Sequence, residues 1–324
     1  MLNELVSKTT DELISILRGG PGSGHHGHRG RPGEVGGSLP AGAGESVHNF
    51  FKVPQTKLWS PVRKAMNDID KVHRIDGAWF NVGIPIKRSK AKNTTGSYYT
   101  LLIPRSATGD TEWIQEPDKM MVVLENSNPN NEITNTTIHE FGHMFDHVAF
   151  GRTTDFASEL AAKMVEQNGV DYLLDPSNAM LTSLISRNPD EARAFVKWWD
   201  AVQNSDTYAQ LQDAKGSTWI QQADGTWKSI KELGSMEQLL EGARAWKFDT
   251  DLIVSFRRPR EYFARAYAQY IALRSGNQKT LDFHDEMIRH EQGSSMPHRY
   301  WDWDDFGPIA EAFDEILEAR EWQR

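Results

Sequence analysis

The five residues His139-Glu-Phe-Gly-His143, called the HEFGH motif below, constrain the fold of this chain more than any other feature. The segment before them, 131–138, is rich in asparagine and threonine, and apolar residues recur at helical spacing from the motif onward: Phe141, Met144, Phe145 and Val148. This pattern predicts a helix whose apolar residues are part of the core. Residues four apart lie on one face of a helix, so the two imidazoles can bind one metal ion.

The chemistry of the motif indicates zinc. Zinc in proteins prefers four nitrogen, oxygen or sulfur ligands, and a catalytic site leaves one position to water. Two histidines are therefore too few, and a third protein ligand is expected. The bound ion lowers the pKa of its water to about 7. Glu140 follows the first histidine, so its carboxylate is predicted to take the proton of this water as general base, and the expected reaction is amide hydrolysis.

Asp146 and His147 closely follow the motif and are the nearest candidates for further site residues. A straight helix rises about 6 Å from His143 to His147, which carries the His147 ring past the ion. We therefore expect His147 to be a helix-end or surface residue. Asp146 either accepts the free N–H of a ligating imidazole or is a solvated carboxylate.

Glu261 is the stronger candidate for the third ligand. A proline in the first turn and apolar residues at helical intervals predict a helix over 259–275. Ala264 and Ala268 are small and lie on the side that Glu261 faces, so this helix can approach another closely. The alternative is that Glu261 only complements the helix dipole and pairs with Arg265 four residues later.

The HEFGH motif with an aspartate three residues later, and the segment Glu261-Tyr-Phe-Ala-Arg-Ala-Tyr267 much further along, resemble the zincin peptidases related to anthrax lethal factor. In that group a glutamate on a second helix, within a similar Glu-Phe-Phe-Ala segment, completes the zinc site. The resemblance implies a Zn2+ ion held by the two histidines of the motif and by Glu261, with Glu140 as general base. It covers the two motifs and their order, within residues 118–275.

One position departs from that family. The family carries a tyrosine seven residues before the ligand glutamate, thought to stabilise the oxyanion of the tetrahedral intermediate, and Val254 stands there in this chain. Tyr262 or Tyr267 could supply the missing hydroxyl; otherwise both are packing residues, and the site is slower or inactive. The loss of one oxyanion donor typically lowers the rate by about two to three orders of magnitude.

Strands are predicted at 77–86, 97–103 and 119–125, in a small sheet of about three or four strands. The last of them either forms a sheet edge that can pair with an extended peptide or lies inside the sheet. A hairpin is predicted near 217–230, and helices are predicted at 2–18, 55–72, 154–168, 178–204, 259–275 and 305–323. Together with the resemblance, these elements predict an α+β, mainly helical fold of the zincin type with a small mixed sheet.

Composition limits the other classes of function. The 324 residues carry a net charge of −9 and include no cysteine, so disulfides and thiolate metal sites are excluded. The negative charge argues against nucleic acid as a partner, although basic stretches occur at 87–92 and 257–260. These stretches are expected to be solvated loops, unless the second, which adjoins Glu261, orients an acidic substrate. The sequence shows no signal peptide or membrane-spanning run, so we expect the host cytoplasm or a virion as the location.

Residues 19–45 form the sharpest change in composition. They are so rich in glycine that they cannot bury enough surface to offset the entropy lost on ordering. We expect a flexible linker between a helix at 1–18 and a metallopeptidase domain at 46–324. The pattern Gly-His-x-Gly-Arg-Pro-Gly-x-Val-Gly-Gly-Ser in this linker resembles glycine-rich stretches of tailed-bacteriophage head and morphogenesis proteins. The resemblance implies a phage or prophage origin and an arm that binds phage head or other virion proteins.

The expected function is that of a phage-encoded or prophage-encoded zinc endopeptidase that acts on a peptide or protein substrate. A second hypothesis is a catalytically weak or inactive virion structural or assembly protein on a zincin-like scaffold, which the missing tyrosine and the arm favour. A third is a delivered protease toxin that acts on a host protein. The distance between the Glu261 carboxylate and the two imidazoles is the first test of the peptidase hypothesis, and the toxin hypothesis differs from it only in the substrate.

Overall fold

The computed structural model describes the chain between Glu45 and Trp322 in several segments. The described residues are 45–53, 55–75, 84–89, 96–99, 102–104, 113–115, 121–125, 130–151, 155–178, 182–186, 188–213, 219–221, 227–229, 256–292 and 298–322. All of them belong to one unit, Leu39–Arg324. The helix predicted at 1–18 and the linker predicted at 19–45 lie outside the described residues, except for Glu45. The backbone N–H of Glu45 donates to the C=O of Ile75 at 2.8 Å, so the folded unit includes the last residue of the predicted linker.

The described residues are mainly helical, as the sequence predicts. A π-helical segment, Phe145–Phe150, continues the helix that carries the HEFGH motif, and short 3-10 turns lie at Val47–Asn49, Lys57–Trp59 and Pro176–Asn178. The α-helices are α1 (Ser60–Val72), α2 (Asn130–Met144), α3 (Ala157–Asn168), α4 (Val170–Leu174), α5 (Pro189–Gln203), α6 (Asp206–Asp213), α7 (Pro259–Ser275), α8 (Gln278–Gln292) and α9 (Trp303–Ala319).

Capping residues explain several helix ends. α7 has the bounds that the sequence predicts, with Pro259 at its start and Gly276 in the left-handed conformation (φ 63°) after its end. α5 begins later than predicted, because the side chain of Asn188 accepts hydrogen bonds from two N–H groups of its first turn. α8 was not predicted, because most of the side chains that it buries are polar: Thr280, His284, Ile288 and Glu291.

The described strands are β1 (Phe51–Lys52), β2 (Ile84–Ser89), β3 (Gly96–Tyr99), β4 (Leu102–Pro104), β5 (Trp113–Gln115), β6 (Met121–Glu125), β7 (Trp219–Gln221) and β8 (Trp227–Ser229). Four of them pair in the order β1-β2-β6-β3. In this sheet β2 runs parallel to β1 and β6, whereas β3 runs antiparallel to β6. β4 pairs with β5 and β7 with β8, each antiparallel. The first predicted strand, 77–86, overlaps β2 at its end, and its earlier residues lie outside the described part.

The sequence left open whether the strand predicted at 119–125 is an edge strand or an interior strand. β6 lies between β2 and β3, so it is an interior strand. β3 is its outer neighbour among the described strands. α2 packs against both β3 and β6. α2, which carries the HEFGH motif, therefore packs on this sheet, and the motif residue Phe141 contacts Phe51 of β1.

The part of the core that positions the site is formed where α1, α2 and α7 pack together, and the packing of α5 on α9 extends the same core. Phe141, Met144 and Phe145 are fully buried, as the apolar stripe predicts. The ring of Phe141 meets Phe51 edge-on at 4.6 Å, and the ring of Phe145 lies 5.5 Å from that of Tyr267. Burial of a side chain of this size contributes about 1.5–3 kcal/mol. Packing on its neighbours, more than helix propensity, therefore fixes α2 in place.

Candidate metal centre

His139 and His143 lie on one face of α2, as their spacing predicts. Their ring centroids are 4.7 Å apart and the ring planes meet at 88°. His143 is buried, and the side chain of His139 is 21% exposed. The pair therefore lies at the border of the core, where a ligand from solvent can reach it.

Glu261 lies in the first turn of α7 and completes the group. Its Oε2 is 3.6 Å from Nε2 of His139, and its Oε1 is 3.4 Å from Nε2 of His143. The three side chains offer ligand atoms that all lie within 4.8 Å of one another. Ligands at about 2.0–2.2 Å from a tetrahedral zinc ion are about 3.4 Å from each other. Two imidazoles and a carboxylate at these spacings can therefore hold one metal ion.

Small residues allow the close contact between α2 and α7. A Cβ atom at Gly142 would lie 2.9 Å from Cα of Ala264 and 3.2 Å from Cβ of Tyr267. No side chain fits there unless α7 moves, so the glycine inside the HEFGH motif permits the approach that brings Glu261 to the histidines. Ala264 faces the motif, as its small size predicts.

The surroundings of Glu261 keep its carboxylate ionised. Burial opposes ionisation, but hydrogen bonds and charge from His139 and His143 outweigh it and hold the pKa of Glu261 well below its usual range. The position of Glu261 in the first turn of α7 also favours the ionised carboxylate, because the start of a helix carries a partial positive charge. Complementing the helix dipole is therefore only part of what Glu261 does, since its carboxylate also contacts both imidazoles.

Glu140 is buried, with 4% of its surface exposed. At about 100° per residue around a helix, its side chain leaves α2 about 60° from that of His143. Glu140 thus lies on the flank of the face that carries the ligands. This position suits a carboxylate that reaches a water beside the ion without ligating the ion, which is its predicted role.

Asp146 contacts the start of α3. It is fully buried, and its carboxylate accepts hydrogen bonds from the N–H of Ser158, at 2.8 Å, and from the Ser158 hydroxyl. The solvated alternative is therefore wrong, and the described hydrogen bonds of Asp146 go to Ser158 in place of an imidazole. Burial raises the pKa of Asp146 to about 8, although both hydrogen bonds from Ser158 oppose the rise.

His147 is also buried, so the surface alternative of the prediction is wrong, whereas its position in the last turn of the helical segment agrees with the helix-end alternative. It lies in the π-helical segment after α2, and its ring stacks on that of Phe156 at 4.6 Å. The ring of Phe156 is also 6.5 Å from that of His143, and the guanidinium of Arg260 lies 5.4 Å above it. Phe156 thus adjoins the candidate metal centre, and nothing in the sequence marks this lone aromatic residue as part of it.

Arg265 does not pair with the Glu261 carboxylate. Its guanidinium donates to three main-chain carbonyls: those of Glu261 at 3.1 Å, Arg299 at 2.6 Å and Phe256 at 2.6 Å. The ion pair between residues 261 and 265 is therefore not formed, and the carboxylate remains directed to the histidines. Arg265 instead ties segments on either side of α7 to its first turn.

Tyr262 and Tyr267 are both buried packing residues. The hydroxyl of Tyr267 is 2.8 Å from Nε2 of His73. Burial raises the pKa of Tyr267 and lowers that of His73 to about 4, so the tyrosine O–H donates to a neutral ring. Tyr262 packs among aromatic rings, with Tyr208 at 5.6 Å and Trp301 at 6.2 Å. Val254, at the position where the lethal-factor group has a tyrosine, lies outside the described residues.

The chain has no significant match among protein-family models, curated proteins or solved structures. Its likeness to zincin peptidases therefore rests on two short motifs and on the arrangement of the side chains above. None of the helices in the described part of the chain combines the length and the apolar character needed to span a bilayer.

Proposed function

We propose that this protein is a zinc-dependent endopeptidase with a zincin-like fold. The observation that carries the proposal is the convergence of His139, His143 and Glu261, from two helices, at spacings that suit one ion. Two imidazoles and one carboxylate, in a chain without cysteine, are a donor set typical of catalytic zinc. A zinc ion bound there would polarise a peptide carbonyl and make a water more acidic.

The chain's own residues would perform the remaining steps. Glu140 would accept a proton from the attacking water and deliver it to the leaving amine. The bonds from Arg265 to the main chain tie the first turn of α7, and with it Glu261, to the segments at Phe256 and Arg299. This keeps the third ligand in register with the two histidines while the substrate binds and leaves.

The sheet supports an extended peptide as the substrate. β3 is antiparallel to β6 and outermost among the described strands, and α2 packs against both. A peptide that pairs with the outer side of β3 would lie beside the strand on which α2 packs, held by main-chain hydrogen bonds. The proposed substrate is therefore an unfolded or extended segment of a peptide or protein.

A virion structural or assembly protein on the same scaffold is the second candidate. Two observations favour it: the Tyr267 hydroxyl is bonded to His73, and Tyr262 is buried among aromatic rings. Neither tyrosine therefore serves as the oxyanion donor. The glycine-rich pattern within 19–45 supports a phage or prophage origin in both cases, with the arm binding other virion proteins. A delivered protease toxin would use the same centre and differ in its substrate.

Zinc content tests the centre directly. We expect elemental analysis to find about one zinc ion per chain in the wild type and far less in Glu261→Ala, because two ligands hold the ion more weakly than three. Glu166→Ala, which changes an exposed residue of α3, is the matched control. Undiminished zinc in Glu261→Ala would remove Glu261 from the site.

Cleavage of an unfolded protein in added zinc tests the catalysis. We expect Glu140→Gln to keep its zinc and lose about two to four orders of magnitude in rate, because general acid and base catalysis typically contributes that much. Glu166→Gln should cleave at the wild-type rate. Equal rates for the wild type and Glu140→Gln would favour the scaffold, and cleavage confined to one host protein would favour the toxin.

A further inference from the structure

A polar hollow of about 460 Å³ lies at the end of α7 remote from Glu261. Helix geometry places the two ends of α7 about 20–25 Å apart, so the hollow is separate from the metal centre. It lies between the polar face of α1 and the turn that joins α7 to α8. Its lining includes Lys64, Asp68, Asp70, Lys71, Arg74 and Asn277.

Two aspartates hold the walls of this hollow together. Asp68 accepts hydrogen bonds from the side chains of Asn277 and Thr280, the latter at 3.2 Å. Asp70 accepts from the N–H of Val47 at 2.9 Å. These bonds connect α1 to the segment before it and to the start of α8. The hydrogen bonds of the two aspartates therefore fix the positions of the elements that line the hollow.

Lys64 is the cation of this hollow that lacks a counter-ion. Lys71 lies 3.4 Å from the Asp68 carboxylate, but Lys64 forms no salt bridge with any residue that the structure describes. Burial lowers the pKa of Lys64, and the ammonium groups of Lys279 and Lys71 lower it further, whereas Asp68 opposes the change. An anion in the hollow would reduce the repulsion between the ammonium groups and would give Lys64 a counter-ion.

Among the residues that line the hollow, cationic side chains outnumber carboxylates, although the net charge of the chain is −9. Arg74 adds a guanidinium to the ammonium groups of Lys64 and Lys71, at 3.8 Å from Asp70. The carboxylates of both aspartates already accept hydrogen bonds from other parts of the protein, and of the two lysines that line the hollow only Lys71 contacts one of them. α8 also begins at this place, and its first N–H groups add a partial positive charge.

We propose that the hollow binds a small phosphate-bearing anion. Lys64 and Lys71 are two helical turns apart on the same face of α1, so both ammonium groups can reach one ligand. A phosphate group carries about −1.5 to −2 charges at neutral pH and offers three strong acceptor oxygens. It would therefore pair with Lys64 and Lys71 together, through charge-assisted hydrogen bonds.

Calorimetric titration of the full chain with pyrophosphate tests this proposal. A chelator in the buffer keeps the anion from binding through metal at the histidines. We expect saturable binding to the wild type, weakened about tenfold or more in Lys64→Gln and in Lys71→Gln, and largely retained in Lys64→Arg. Lys197→Gln, which removes an ammonium 2.7 Å from Glu315 elsewhere on the surface, should bind like the wild type.

Three outcomes would overturn the proposal. The first is no saturable binding to the wild type, and the second is equal weakening in Lys197→Gln, which would mean attraction to overall charge. The third is succinate binding as tightly as pyrophosphate, which would remove the preference for phosphate. Circular dichroism should show that all variants are folded, since Lys64 and Lys71 are not fully buried.

Discussion

Asp146 and Glu261 show how neighbours decide the protonation of a buried carboxyl group. Glu261 contacts two imidazoles, and its pKa falls, whereas Asp146 is enclosed beside a single serine, and its pKa rises to about 8. Both are carboxylates close to α2, so the number and sign of their neighbours make the difference. The same chemical group is thus an anion beside two imidazoles at one place and a buried anchor for α3 at the other.

The Asp146→Asn variant is expected to remove a pH-dependent loss of stability. Asp146 has a pKa of about 8 in the fold and about 3.9 when unfolded, so unfolding releases a proton between these values. Its contribution to the free energy of unfolding therefore falls as pH rises from about 4 to about 8, and is constant above. Urea unfolding near pH 5 and near pH 8 should show a smaller difference in the variant. Asp171→Asn, at an exposed position of α4, should behave like the wild type; an unchanged pH dependence in Asp146→Asn would contradict the assignment.

Among the elements, the pair α2 and α7 decides whether a metal centre can form. The histidines come from one helix and the carboxylate from the other, and the two backbones meet where Gly142 faces Ala264. The separation of the helices at this point sets the distance from carboxylate to imidazole. A substitution at this contact should therefore change both the free energy of unfolding and the affinity for a metal ion.

Gly142→Ala is expected to lower the free energy of unfolding by about 1–3 kcal/mol, because overpacking against a backbone forces a helix to shift. It should also weaken zinc binding, since α7 carries Glu261 away from the histidines. Gly307→Ala is the control: this glycine lies within α9 with no atom near an added Cβ, so alanine should stabilise the fold by about 0.5–1 kcal/mol. Urea unfolding and zinc analysis measure both effects, and equal behaviour of the two variants would rule out the close contact.

The two ligand helices were predictable from the sequence because their signals are local. An apolar stripe, a proline at the start of α7 and the spacing of the histidines all act within a few turns. α8 lacks such a stripe, and the buried state of Asp146 depends on Ser158, twelve residues away. The partner of Tyr267 is His73, 194 residues away, which no periodicity reveals. Contacts of this kind arise only when the chain folds.

For the molecule as a whole, buried neutral histidines limit stability in acid. His284 is fully buried, and neither ring nitrogen has a hydrogen-bond partner among the described residues. Burial lowers the pKa of His284 to about 3 and that of His73 to about 4. Both histidines take up a proton on unfolding below about pH 6.5. Their contribution to stability is therefore lost as pH falls from about 6.5 toward these values.

His284→Leu is expected to make the protein less sensitive to acid. Near pH 5 the loss of stability caused by this histidine, relative to neutral pH, should be about 2 kcal/mol, which follows from its unfolded pKa of about 6.5. Leucine removes that loss and also the two unpaired nitrogens. Thermal melting between about pH 5 and pH 8 should show a smaller shift than in the wild type. His290→Leu, at an exposed position of the same helix, should leave the shift unchanged, and a similar effect of both would argue against burial as the cause.

The division of the ligands between α2 and α7 has a further consequence. An ion held by both would act as a cross-link between parts of the chain that are more than a hundred residues apart, and unfolding would release it. Each tenfold rise in free metal above the dissociation constant would then add about 1.4 kcal/mol to the unfolding free energy. The supply of metal in the surroundings would thus set how much of the protein is folded.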